Sequence, residues 1–180
     1  MQNELDQKRQ KSDAYVKLAR ASAEYFVKNG DIMPLPDWVP GELLDKKAGA
    51  FVSVHKFGAL RGCIGTIAST QKNLALEIIH NAVSAVSRDP RFDPFTEDEL
   101  QYLEINVDVL GEAEPIKSQA ELDVKKYGVI VQSGYKRGLL LPDLDGVDTV
   151  EQQVDIARRK GGIAPGEKID LFRFEVVRHY

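Results

Sequence analysis

A single cysteine, Cys63, stands among 180 residues, so no disulfide forms within the chain and stability must come from packing. Long apolar runs are also missing. The stretch from Gly138 to Pro142 falls far short of the roughly 20 residues that a membrane-crossing helix requires. Residues 1–11 mix acids, amides and bases around one apolar side chain, Leu5, which provides no apolar segment for a secretory signal. Together these features predict a cytoplasmic protein with no membrane partner. Positive charge is not in excess either: 24 Lys and Arg stand against 28 Asp and Glu, a net charge of -4, so nucleic acid is not an expected partner. The Gly-Lys-Ser phosphate loop, GxGxxG, the GxSxG elbow and HExxH are all absent, and no cofactor follows from the residues that remain.

What is present is a globular composition, 43% apolar and 29% charged, at a length suited to one domain with a small appended lobe. Ser12 is the expected N-cap of a helix whose apolar positions Tyr15, Leu18, Ala19 and Phe26 recur until Asn29-Gly30. Pro34, Pro36, Pro40 and Gly41 predict a helix-free wrapping loop over 31–47, anchored by a Trp38 at least half buried. Residues 51–57 and 60–67 read as a β-hairpin turning at Gly58-Ala59, with the strongly periodic helix from Leu74 to Val86 packed on it. Thr96 with Glu99, Ser118 with Glu121 and Thr149 with Gln152 have capping-box spacing. A one-sided strand spans 104–110, a second hairpin turns at Ser133-Gly134, and Phe172, Phe174 and Val176 alternate in a last strand. The expected class is α+β, with a largely antiparallel sheet, packed helices and a smaller lobe, behind an N-terminal extension over 1–11. The acids from Asp93 to Asp123, opposed only by Lys117, form an acidic stretch that is either a solvated surface or a docking face.

Two segments carry candidate chemistry. In LRGCIGT, Leu60 to Thr66, glycine weakens a strand by about 0.5–1 kcal/mol, so Gly62 and Gly65 imply a bulge or close approach by another backbone or a ligand. Strand alternation puts Arg61 and Cys63 on one face, where a guanidinium would lower the thiol pKa. Two hairpin registers are open. A turn over 57–59 sets His55 opposite Arg61 and Ser53 opposite Cys63, and a turn over 58–59 sets His55 opposite Gly62 and Val54 opposite Cys63. The catalytic candidates are therefore Cys63, Arg61 and His55, against the plainer reading of Cys63 as a small buried hydrophobe. His55, His80, His179 and Cys63 include no pair with metal-ligand spacing, and no metal site is predicted. In the second segment, SRDPRFDPF from Ser87 to Phe95, Arg88 suits a helix C-terminus and Asp89-Pro90 stops the helix. Arg91 either joins Arg61 around a small anion or pairs with Asp89 or Asp93. Gly62, Gly65, Arg88, Asp89 and Arg91 are the candidate ligand-binding residues.

LRGCIGT, NAVSAVSRDPRFDP at 81–94 and GLLLPDLDGVDTVEQQVDIARRKGGI at 138–163 resemble the AMMECR domain family, whose bacterial members are called AmmeMemoRadiSam system protein A. The likeness runs from about Ala14 to the C-terminus. It departs at Leu141-Pro142-Asp143-Leu144, where family members often have Leu-Pro-Gln-Val. The resemblance implies one α+β domain with a smaller lobe, a cleft lined by LRGCIGT, and association with a Memo-like protein of extradiol-dioxygenase descent and a radical SAM enzyme. It implies no particular reaction. Two functions follow as expectations: a binding or accessory component, or an enzyme with Cys63 as nucleophile, Arg61 as activator or anion binder and His55 as base.

Overall fold

The computed structural model describes residue 7 and residues 9–180. The predicted extension over 1–11 lies partly outside the described residues. Of the remainder, Arg9 donates to the carbonyls of Leu100 and Gln101, at 3.2 and 2.6 Å. The elements are α1 (Ala14–Asn29), α2 (Gly41–Asp45), β1 (Ala50–Lys56), β2 (Ala59–Gly65), α3 (Leu74–Ser87), β3 (Leu103–Leu110), β4 (Glu114–Ile116), β5 (Gly128–Ser133), β6 (Lys136–Leu140), α4 (Val150–Lys160), β7 (Asp170–Phe174) and β8 (Val176–His179). Short 3-10 turns at Glu97–Tyr102 and Gln119–Glu121 carry the predicted capping boxes. The class is α+β as expected, but the strands form two four-stranded sheets, ordered β2-β1-β3-β8 and β4-β7-β5-β6.

The chain forms two compact units, one of residues 1–109 with 178–180 and the other of residues 110–177. In the first, Val52 and Val54 of β1 and Ile105, Val107 and Val109 of β3 alternate toward one face, where Ile78, Ile79 and Ala82 of α3 cover them. Helix α1 packs on α3, and its buried Ser22 hydroxyl donates to the Ile79 carbonyl at 2.9 Å. At the end of β8, His179 Nδ1 lies 2.6 Å from Asp13 Oδ2, and the imidazole stacks on Tyr15 with centroids 3.7 Å apart. The second unit has its own core, with Val129 and Val131 of β5 against Val154 and Ala157 of α4.

Several local expectations are corrected. The α1 N-cap is Asp13, not Ser12: its carboxylate accepts from the Tyr15 and Val16 amides, at 3.0 and 3.2 Å. The segment over 31–47 does hold a helix, α2, because Pro40 precedes its first turn, where no backbone partner is lost. Trp38 is 51% exposed, and the buried Val39 and Leu43 anchor this segment instead. The first hairpin turns at Phe57-Gly58, both with positive φ (53 and 79). The last apolar run is two strands. It breaks at Glu175, whose carbonyl accepts from Gly111 N at 2.8 Å, so that β7 and β8 join different sheets.

Candidate functional site

LRGCIGT forms β2, an edge strand of the first sheet, with α3 behind it. Both glycines have packing causes. A Cβ on Gly62 would collide with the Ala85 carbonyl oxygen of α3, and one on Gly65 would collide with the Phe51 ring and the Ala50 carbonyl oxygen. The strand's exit is fixed by Glu77, a buried carboxylate that accepts from the Thr66 hydroxyl at 2.6 Å, the Thr70 amide and hydroxyl at 2.7 and 2.9 Å, and the Gln71 amide at 2.8 Å. Burial pushes the Glu77 carboxyl up, and these hydrogen bonds more than offset it, leaving the group below the usual range. Asn81 of α3 completes the lock by donating to the Ala50 carbonyl and to Thr66 Oγ1, at 3.0 and 3.2 Å.

The register mixes the two alternatives. Ser53 pairs with Cys63 and Val54 with Gly62, then a bulge leaves Arg61 unpaired and brings His55 opposite Leu60. Cys63 thus meets Ser53, whose hydroxyl lies 3.1 Å from the sulfur, and its amide donates to Asp89 Oδ2 at 2.9 Å. Asp89 holds Arg91 through a two-pronged pair, Nε at 2.9 Å and Nη2 at 2.7 Å, and also accepts from the Arg91 amide at 3.1 Å. The Asp89 side chain is 2% exposed and that of Arg91 54%. The Arg91 guanidinium, above all, drives the Asp89 carboxyl far below its ordinary range. Burial raises the Cys63 thiol above its ordinary value, against smaller opposing effects of the Ser53 hydroxyl and the Arg91 charge.

Arg61 does not serve the sulfur. The bulge sends its guanidinium to Glu99, with Nε and Nη2 each at 3.1 Å, to the Asp93 carbonyl at 2.9 Å, and over the Phe95 ring at 4.1 Å. Lys56 adds a second cation to Glu99 at 2.8 Å. Burial raises the Glu99 carboxyl, but the hydrogen bonds from Lys56, Arg61 and the Thr96 amide outweigh it and bring the group down to about 2. The cation facing Cys63 is therefore Arg91, so the expected lowering of the thiol pKa by Arg61 is replaced by a rise due to burial. Arg88 is exposed at the α3 C-cap, its amide donating to the Ser84 carbonyl at 2.8 Å. His55 lines a separate cavity of about 570 Å³ in the first unit, which no residue of LRGCIGT lines.

Three partners went unforeseen. Thr96-x-x-Glu99 announced only a cap, and nothing in its spacing signals that the same carboxylate holds Arg61. Glu77 looked like the solvated residue of an amphipathic helix. Asp108 stands at a polar position between Val107 and Val109, yet it is buried and accepts from Arg178 Nε and Nη2 at 2.7 and 3.0 Å. Among the described residues, no group of three or more His, Cys, Asp or Glu is placed to hold a metal ion, and no helix is long and apolar enough to cross a membrane.

An α+β chain whose glycine-bearing edge strand is locked to a helix and to an Asp-Pro-Arg turn defines a class, and comparison with known proteins gives its family. The chain belongs to the AMMECR1 family, whose model matches residues 16–179. A Thermotoga maritima protein is 50% identical over 92% of this chain and 96% of its own. A Clostridium acetobutylicum protein is 49% identical over 98% of this chain, which spans 38% of that longer relative. The crystal structure of the uncharacterized protein PH0010 from Pyrococcus horikoshii superposes with a TM-score of 0.84 at 29% identity, covering 91% of this chain and 88% of that one.

Proposed function

We propose that this AMMECR1-family chain is a cytosolic binding or accessory component that works with a Memo-like protein and a radical SAM enzyme. The observation that carries this reading is that the chemical groups around LRGCIGT are committed to the fold. Asp89 is held by Arg91 and by the Cys63 and Arg91 amides, and Arg61 is held by Glu99. A cysteine nucleophile needs a setting that favours the thiolate and a base to take its proton. Here burial disfavours the thiolate, and a serine hydroxyl, not an imidazole, lies on the sulfur. The competing assignment, Cys63 as nucleophile with Arg61 as activator, is weakened by the same contacts. The partner classes come from the family resemblance. A relative that carries this module within a much longer chain supports a component that acts beside other domains.

The test is to purify the chain with the Memo-like and radical SAM proteins of the same genome and follow complex formation by sedimentation velocity, alongside the pH dependence of Cys63 alkylation. A stable complex with either partner and a thiol that reacts only at alkaline pH are expected. Failure of both partners to associate at micromolar concentration, or a thiol that titrates below neutral pH, overturns the reading.

A further inference from the structure

The cavity lined by His55 has no part in the network around LRGCIGT, and its chemistry is of another kind. It opens in the first unit beside the first half of β3 and the end of β8, and its volume of about 570 Å³ falls within the range of small-molecule sites. Four cationic side chains, Arg9, Lys11, Arg20 and Arg178, line it together with His55, and Glu104 is the one acid in the lining. In a chain of net charge -4 this is a local reversal of sign. Leu103, Ile105 and Gly58 give part of the wall an apolar character, and Asn106, Ser12 and Tyr180 add neutral hydrogen-bonding groups.

The guanidinium groups are positioned before any ligand arrives. Arg20 Nη2 donates to the Leu103 carbonyl at 2.8 Å, and Arg9 Nη2 to the carbonyls of Leu100 and Gln101. A carbonyl fixes a guanidinium without cancelling its charge. The acids nearby are Glu24, 3.6 Å from Arg20 Nη1, and Asp108, which takes Nε and Nη2 of Arg178. Burial, and after it the charge of Arg9, weighs against the protonated form of Arg20. Two guanidiniums thus crowd one partly desolvated wall, and an oxyanion seated between them would relieve both costs. The volume leaves room beyond an inorganic ion for an organic body against Leu103 and Ile105.

We propose that this cavity is a binding site for a small organic oxyanion, a carboxylate or phosphate monoester, with Arg20 and Arg9 holding its head group. It lies apart from the LRGCIGT segment and stands whether or not the chain acts as an accessory component. The charge at the mouth comes from the exposed Lys11, and His55 reaches the cavity from β1.

The experiment is amide-resolved NMR titration of the full chain with benzoate, phenyl phosphate and the neutral benzyl alcohol at millimolar concentration. Shifts confined to His55, Gly58 and 103–106 are expected with at least one anion, and the stronger of the two identifies the head group. Arg20→Gln should weaken that binding roughly tenfold or more, the loss of a charge-assisted contact. Because Arg20 also braces β3, Lys11→Glu provides a second variant at an exposed position, expected to weaken binding several-fold with an unchanged amide spectrum. The proposal falls if neither anion shifts these amides, if benzyl alcohol binds as well, if the shifts centre on Arg91, or if Lys11→Glu leaves affinity unchanged.

Discussion

Two charged clusters flank the same edge strand and are built to opposite effect. Around Glu99, two cations converge on one carboxylate, and all three side chains are largely shielded, at 10% exposure for Glu99, 18% for Arg61 and 28% for Lys56. Around Asp89 the carboxylate is buried more deeply, but its one cation keeps more than half of its surface in water. The first cluster is closed and braces the β2 bulge against the 3-10 turn. The second fixes the Cys63 amide from beneath and leaves Arg91 facing outward. Charge near a suspected site therefore does not identify function. What separates a brace from a docking point is whether a donor edge stays accessible after the internal pairing is complete.

The largest expected effect comes from removing the closed cluster's centre. Glu99→Ala leaves Arg61 and Lys56 shielded without a counter-charge and should cost about 3 kcal/mol in urea unfolding. A loss below about 1 kcal/mol would mean that the cluster is as well hydrated as an ordinary surface pair. Asp89→Asn keeps an acceptor for the Cys63 amide but loses the ionic part of the pair with the half-exposed Arg91, so about 2 kcal/mol is expected. If it costs more than Glu99→Ala, the two regions have been ranked in the wrong order.

Acid should expose the same contrast. Both carboxyls are lowered in the folded chain, so each contributes stability that is fully present above the unfolded value of about 4.3 for Glu or 3.9 for Asp. That contribution is lost as pH falls through the folded value. The stability gap between wild type and Glu99→Gln should therefore be constant above pH ~5 and shrink toward pH ~2, as followed by denaturant unfolding at each pH. A gap that instead grows on acidification would contradict the sign. The smallest effect belongs to Ser53→Ala. It removes the hydroxyl that opposes the burial-driven rise of the thiol, so alkylation of Cys63 should slow modestly at a given pH, with stability within about 1 kcal/mol of wild type. Faster alkylation would show that access, not proton affinity, governs this sulfur.

Periodicity made the elements around the site legible. The helix over Leu74–Ser87, the strand over 103–110 and the three capping boxes all follow from local spacing, which local structure obeys. The pairing of the hairpin was not legible, because a bulge at Arg61 costs one residue of register and only three-dimensional packing shows where it falls. Gly62 and Gly65 signalled close approach, but the sequence does not say that the approaching groups are Ala85 and Phe51. Arg61 and Arg91 look alike in sequence, and their different fates depend on Glu99 and Asp89, one of them far along the chain. Trp38 misled because size suggested an anchor where Val39 and Leu43 do that work.

The break at Glu175 has a consequence for how the first sheet assembles. Its strands β1, β2 and β3 lie close in sequence, but β8 arrives only after the whole second unit, so to the first unit the segment from Leu110 to Val177 is one very long loop. Closing such a loop as a random coil has an entropic cost that grows with the logarithm of its length. The second unit folds on a core of its own, and the Gly111–Glu175 hydrogen bond draws its entry and exit together. To the first unit it is then a prefolded body with two neighbouring attachment points, equivalent to a short turn. Folding of the inserted unit thereby delivers β8, with the Arg178 that neutralises buried Asp108, at a fraction of the entropy a coil would demand.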